Sequence, residues 1–218
     1  MTWSEMSPLL WEATGQTLQM VAWSTLFTAL FGLPLGVLLV GTARGGLFPA
    51  PLLNQALGLI VNVGRSLPFV VLMIAVIPLT RLLTGTTIGT TAAVVPLTIG
   101  AVPFFARLVE TSLREVSRDV VEAARAMGAS RTTVVVKVLL PEALPGLVAS
   151  LTVTVVALIS YSAMAGVIGG GGLGDLAVRY GYQRFETTLM VVTVVVLVVL
   201  VQLVQGLGDT VSRRLSRR

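Results

Sequence analysis

Cysteine and histidine are absent from the 218 residues, and lysine occurs once, at Lys137. Without thiols there is no disulfide framework, and without thiol or imidazole the usual zinc and iron ligands and the usual triad base are missing. No G-x-x-x-x-G-K-[S/T] run exists, so the phosphate cradle of an ATPase cannot be built here and any ATP has to be hydrolysed by a partner. Charge is scarce as well. Asp, Glu, Lys and Arg supply 11% of residues against 55% hydrophobic, with a mean hydropathy of +0.92. That is far more apolar surface than one core could bury, so the chain is expected to be an all-α integral membrane protein. The isoelectric point of about 10.7 is explained by arginines flanking apolar spans, and nucleic acid is set aside as a partner.

Five spans are expected, over residues 16–40, about 54–80, 88–109, 147–167 and 186–207, in one transmembrane domain covering 1–218. Residues 1–15 contain Glu5 and Glu12 but no basic residue, unlike the positive start of a secretory signal, so the first span is expected to be retained. Gly32-Leu-Pro-Leu-Gly36 is a small-xxx-small pattern that predicts tight helix packing. Arg65, inside Arg65-Ser-Leu-Pro68, would be expensive at the bilayer centre and is expected near the headgroups, the alternative being a polar cavity. Pro96 and Pro103 interrupt the third span. Gly169-Gly-Gly-Gly-Leu-Gly174 formally matches G-x-G-x-x-G, but it follows a membrane helix and not a strand, so a flexible or tightly packed loop is expected.

Basic residues divide unequally. Arg44, Arg107, Arg114, Arg118, Arg125, Arg131, Lys137 and the tail arginines Arg213, Arg214, Arg217 and Arg218 fall on one side, against Arg81, Arg179 and Arg184 on the other. The richer side is expected to be cytoplasmic, which puts the N-terminus outside and the C-terminus inside.

The charged island 119–146 is the centre of this arrangement. Asp119 is expected to cap a short helix, with Glu122 completing a capping box. Val120, Ala123 or Ala124, and Met127 recur at helical spacing as a small apolar face. Gly128 is expected as a left-handed corner and Ser130 as the cap of a second helix running to Pro141. A short helix with alanines on its contact face can lie closely in the groove of another protein, so the island is expected to dock a cytosolic partner.

Glu122-Ala-Ala124, Gly128, Val138 and Leu140-Pro141 together resemble the EAA loop of ABC-importer permeases. The likeness extends over nearly the whole chain to the methionine-importing permeases of that family, through Arg65-Ser-Leu-Pro-Phe69, Val95-Pro-Leu-Thr98, the run from Lys137 to Gly146, Tyr161-Ser-Ala-Met164 and the glycine run. The resemblance implies a type I ABC importer permease with five transmembrane helices per subunit in a bacterial inner membrane, residues 110–146 forming its cytoplasmic coupling loop. It further implies a second copy of the chain, two cytosolic ATPase subunits that carry the ATP and Mg, an extracytoplasmic binding protein, and surrounding membrane lipid, with no cofactor in this subunit. Asp119, Glu122, Ala123, Ala124, Met127, Gly128 and Pro141 would couple to the ATPase, and Tyr161, Ser162 and Met164 would line or gate the path. Ser160 and Ala165 stand where the family pattern has glycines. The implied cargo is methionine, the alternatives being another small amino acid or osmolyte, or a channel subunit outside the ABC class.

Overall fold

The computed structural model describes residues 2–216; Met1 and the tail arginines Arg217 and Arg218 lie outside the described residues. Within that range every regular element is helical. They are α1 (Trp3–Gly41), α2 (Pro51–Ser66), α3 (Phe69–Ala75), α4 (Ile77–Thr84), α5 (Thr90–Arg114), α6 (Arg118–Ala126), α7 (Arg131–Val134), α8 (Leu140–Glu142), α9 (Leu144–Val167), α10 (Gly172–Leu176) and α11 (Thr187–Leu215). Wider π turns, Val135–Leu139 and Ala177–Tyr182, extend α7 and α10.

Helices α1, α5, α9 and α11 are each long and apolar enough to cross a membrane, and α2 with α3 makes a fifth span if the pair is counted as one. The expected second span, about 54–80, is therefore broken near Arg65-Ser-Leu-Pro68. Pro68 has no N–H to continue a helix and disfavours helical backbone at Leu67, so the run breaks between Ser66 and Phe69. Arg65 lies in the last turn of α2 and is exposed.

Helix α1 is longer than the expected 16–40. At a rise of about 1.5 Å per residue its 39 residues run roughly 58 Å, against a hydrocarbon core of about 30 Å. The added turns have two causes. The Glu5 carboxylate accepts from the Thr2 N–H at 2.7 Å, tying down a free donor at the helix start. Met6, Leu10 and Ala13 then lie on one buried face at spacings of four and three and pack with Leu173, Leu176 and Leu189.

Two compact units divide the chain. One gathers Met1–Phe27, Leu67–Ala101 and Val155–Gly206; its core is built on Met20, Phe69, Leu72, Leu97, Leu158 and Ile159. The other gathers Thr28–Ser66, Val102–Thr154 and Leu207–Arg218, with a core of Phe105, Val109, Leu113, Val134, Leu139 and Leu147. In this second unit the expected tight packing is present. A Cβ added to Gly36 would lie 2.5 Å from Val109 Cγ1 and 2.8 Å from the Ala106 carbonyl oxygen, and one on Gly32 would lie 2.8 Å from Phe105 Cδ1. Helix α5 therefore sets the side chains of Phe105 and Val109 and the Ala106 carbonyl directly against the bare backbone of α1. Asn54 fastens α2 beside them, its amide donating to the Leu39 carbonyl at 2.7 Å and to Thr42 Oγ1 at 3.0 Å.

Gly36→Leu is expected to wedge α1 from α5, because a carbonyl oxygen cannot rotate away as a side chain can. An overpacking cost of about 1–3 kcal/mol or more follows, read as a lower melting temperature of the detergent-solubilised protein. An unchanged melting curve would show that the two helices do not depend on this contact.

Candidate coupling and gate sites

The first site is the hairpin from Ser117 to Glu142. Its opening corrects the sequence expectation: Ser117, and not Asp119, is the N-cap of α6, its hydroxyl accepting from the Asp119 N–H at 3.3 Å. Asp119 is then a first-turn residue whose charge suits the positive end of the helix. Glu122 stands in the second turn, past the third helical position that closes a capping box; it is exposed and forms no ion pair among the described residues.

The far end of α6 is a Schellman closure. Gly128 has φ +85°, its N–H donates to the Arg125 carbonyl at 2.9 Å, and the Ala129 N–H reaches back to the Ala124 carbonyl at 3.1 Å. Ser130 then caps α7 as expected, accepting from the Thr133 N–H at 3.2 Å. Ala124 is buried against Leu113, Val134 and Leu139, and Val121 is half-buried beside it, so these two hold α6 to its own chain. Val120, Ala123 and Met127, at spacings of three and four, are all exposed, Met127 at 84%. The expected apolar face is thus split. Ala124 anchors, while Ala123 with Val120 and Met127 forms an outward stripe. Pro141 is exposed in α8, behind the π turn.

Sequence reasoning missed a buried carboxylate at the end of α5, just before this hairpin. Glu110, 6% exposed, accepts from Arg107 Nη1 at 2.5 Å and from Arg114 Nε and Nη2 at 3.0 and 2.8 Å. Arg107 Nη2 also donates to Asn62 Oδ1 of α2 at 2.6 Å. One buried anion thus neutralises two arginines in the last turns of α5 and links that end to α2. The readable signal was the spacing Arg107, Glu110, Arg114, three and four apart on one helical face.

The second site lies in the last turns of α9, where the structure separates the three expected residues. Tyr161 is half-buried and stacks on Phe69 with ring centroids 4.6 Å apart and planes 7° from parallel. Ser162 is buried and donates to the Ile159 carbonyl at 2.7 Å. Met164 is 44% exposed and lines an apolar groove of about 560 Å³ with Ser160, Val167, Leu197 and Val201. Only Met164 of the three faces open space. Of the two loops expected for the glycine run, flexible or tightly packed, the structure has the packed one: the Gly172 N–H donates to Gln16 Oε1 at 2.8 Å and the Leu173 N–H to Thr17 Oγ1 at 2.9 Å.

At Gly128 an added Cβ meets no atom within 4 Å, so any cost of substitution there is backbone strain. Gly128→Val is expected to add at least about 1–2 kcal/mol at the corner and to turn the outward stripe out of place without unfolding the spans. Limited proteolysis of the 117–142 segment together with a thermal melt checks this; equal cleavage of both proteins would remove the argument.

Residues 32–217 match the family described as binding-protein-dependent transport system inner membrane component. The chain is 57% identical over 212 residues, 97% of its length and 94% of the relative's, to the Probable D-methionine transport system permease protein MetI of Vibrio cholerae. It is 43% identical to the methionine import system permease protein MetP of Bacillus subtilis, over 96% of this chain and 94% of that one. Among solved structures it superposes on a chain of the MetNI methionine ABC transporter in inward-facing conformations, with a TM-score of 0.96, 46% identity and 99% of each chain covered. The likeness runs from the outermost turns of α1 through the hairpin to the tail, and the chain belongs to the binding-protein-dependent transport system inner membrane component family.

Proposed function

We propose that the chain is the permease subunit of an ABC importer for methionine, opening its path alternately to the two sides of a bacterial inner membrane. Near full-length identity to permeases named for methionine supports the cargo. The observation that carries the mechanism is the outward stripe of Val120, Ala123 and Met127 on a helix otherwise held by Ala124. An exposed apolar stripe beside an unpaired carboxylate fits a protein groove better than it fits water. Its partner is a cytosolic ATPase, one for each of two permease copies, which supplies the ATP and Mg; an extracytoplasmic binding protein delivers the cargo.

On this reading the N-terminus is outside and the tail inside, with the hairpin in the cytosol. Asp119 orders the first turn of α6, Glu122 meets the ATPase, and the Gly128 corner and Pro141 carry its movement back toward α9. Coupling requires the ATPase to bind the two states of the path unequally, since a partner that contacts both alike shifts neither. Met164 narrows the path with a flexible thioether that seals without one fixed shape, and Tyr161 and Ser162 hold its helix in position.

The test is ATP-driven uptake of labelled methionine into liposomes containing permease and ATPase. Wild type is expected to accumulate methionine, and an assembly that instead concentrates an unrelated amino acid would sink the cargo assignment. Glu122→Ala should weaken ATPase association about tenfold, the scale of one lost charged hydrogen bond, with Glu122→Gln milder. Altered substrate selectivity with association intact would overturn its role. Met164→Ala should raise passive leak in the same liposomes; unaltered leak and unaltered uptake would dismiss the gate.

A further inference from the structure

The second unit holds a cavity of about 320 Å³ whose lining includes α6 residues outside the Val120, Ala123 and Met127 stripe. Four guanidinium-bearing residues line it: Arg44 in the turn after α1, Arg114 closing α5, and Arg118 and Arg125 on α6. Only one carboxylate, that of Glu122, shares the lining. Arg114 is already engaged by Glu110, but Arg44, Arg118 and Arg125 enter no ion pair among the described residues. Cations gathered at one cavity against a single carboxylate repel one another, and a planar guanidinium suits phosphate oxygens in two-point contact. The remaining walls are aliphatic, from Val37, Val40, Leu113 and Val121.

The position sharpens the chemistry. Arg44 follows the last residues of α1 and Arg114 ends α5, both helices long enough to cross a membrane. The cavity therefore lies where the apolar spans give way to charge, the level at which lipid phosphates sit, and basic pockets between span ends are suited to anionic headgroups. We propose that this cavity binds one anionic glycerophospholipid per chain, its phosphate on Arg44, Arg118 and Arg125 and its glycerol and first methylenes against Val37, Val40 and Leu113. An acidic peptide would satisfy the arginines but leave the aliphatic walls without a matching surface. The lipid would join the end of α1 to α6 through groups that the chain itself does not pair.

Native mass spectrometry of the assembled transporter, permease with its ATPase, tests this by titration with phosphatidylglycerol from a phosphatidylcholine background. Wild type should retain one phosphatidylglycerol per permease copy. Arg44→Gln with Arg125→Gln should lower that retention about tenfold, while Arg44→Lys, which keeps the charge, should preserve most of it. The same spectra count ATPase subunits, so failure of lipid binding is distinguishable from failure of docking. Equal retention by the double variant would overturn the proposal. Displacement of the lipid by millimolar inorganic phosphate would overturn it in favour of a free-anion site. Retention only after the ATPase is removed would overturn it in favour of a cavity that the protein partner fills.

Discussion

The second unit depends on α1 and α5 meeting where Gly32 and Gly36 present no side chain, so that Phe105, Val109 and the Ala106 carbonyl of α5 come close to the α1 backbone. In hydrocarbon there is no hydrophobic gain from bringing two apolar helices together, so close van der Waals contact has to supply the association. Once that seam is fixed, the end of α5 is fixed, and with it the Arg107, Glu110 and Arg114 cluster and the start of α6 only four residues farther on. The direction in which α6 turns its outward stripe is thus inherited from a contact several turns away.

Division of labour between neighbouring residues recurs at both sites. On α6 adjacent alanines take opposite tasks, Ala124 inward and Ala123 outward. On α9 Tyr161 and Ser162 are spent on packing, and Met164, most of a turn beyond Tyr161, faces the groove. In both cases a helical repeat of 3.6 residues allows one short motif to address the protein's own core and something outside it.

Much of this was readable from residues whose backbone chemistry leaves few alternatives. Gly32 and Gly36 announced a close approach, Gly128 a left-handed corner, Ser130 a cap, and the long apolar runs their spans. What was not readable turned on choices between near-equivalents. Ser117 and Asp119 are both able to cap a helix, and the exit of α5 at Arg114 decides between them. Over only two turns the periodicity could not separate Ala123 from Ala124. Glu110 was hidden because it stands at the edge of an apolar run whose arginines already had an explanation as topology signals. The early turns of α1 were hidden because an average over hydropathy conceals a narrow face such as Met6, Leu10 and Ala13. Pairing and tertiary burial, and not propensity, decided each of these.

The π turn at Val135–Leu139 has a consequence for how this segment can change over time. A wide turn is a helix carrying one residue more than a regular ladder needs, and Pro141, which cannot donate to that ladder, follows directly behind it. Substitutions within the turn keep the count and so the phase of everything downstream. Deletion of a single residue would let the ladder close into ordinary α-helix and leave the phase of α9 nearly as it was, because the wide turn already absorbs the extra residue. Loss of one residue at this turn is therefore tolerated, where the same loss in a regular helix would turn everything downstream by about 100° and point its contact faces the wrong way.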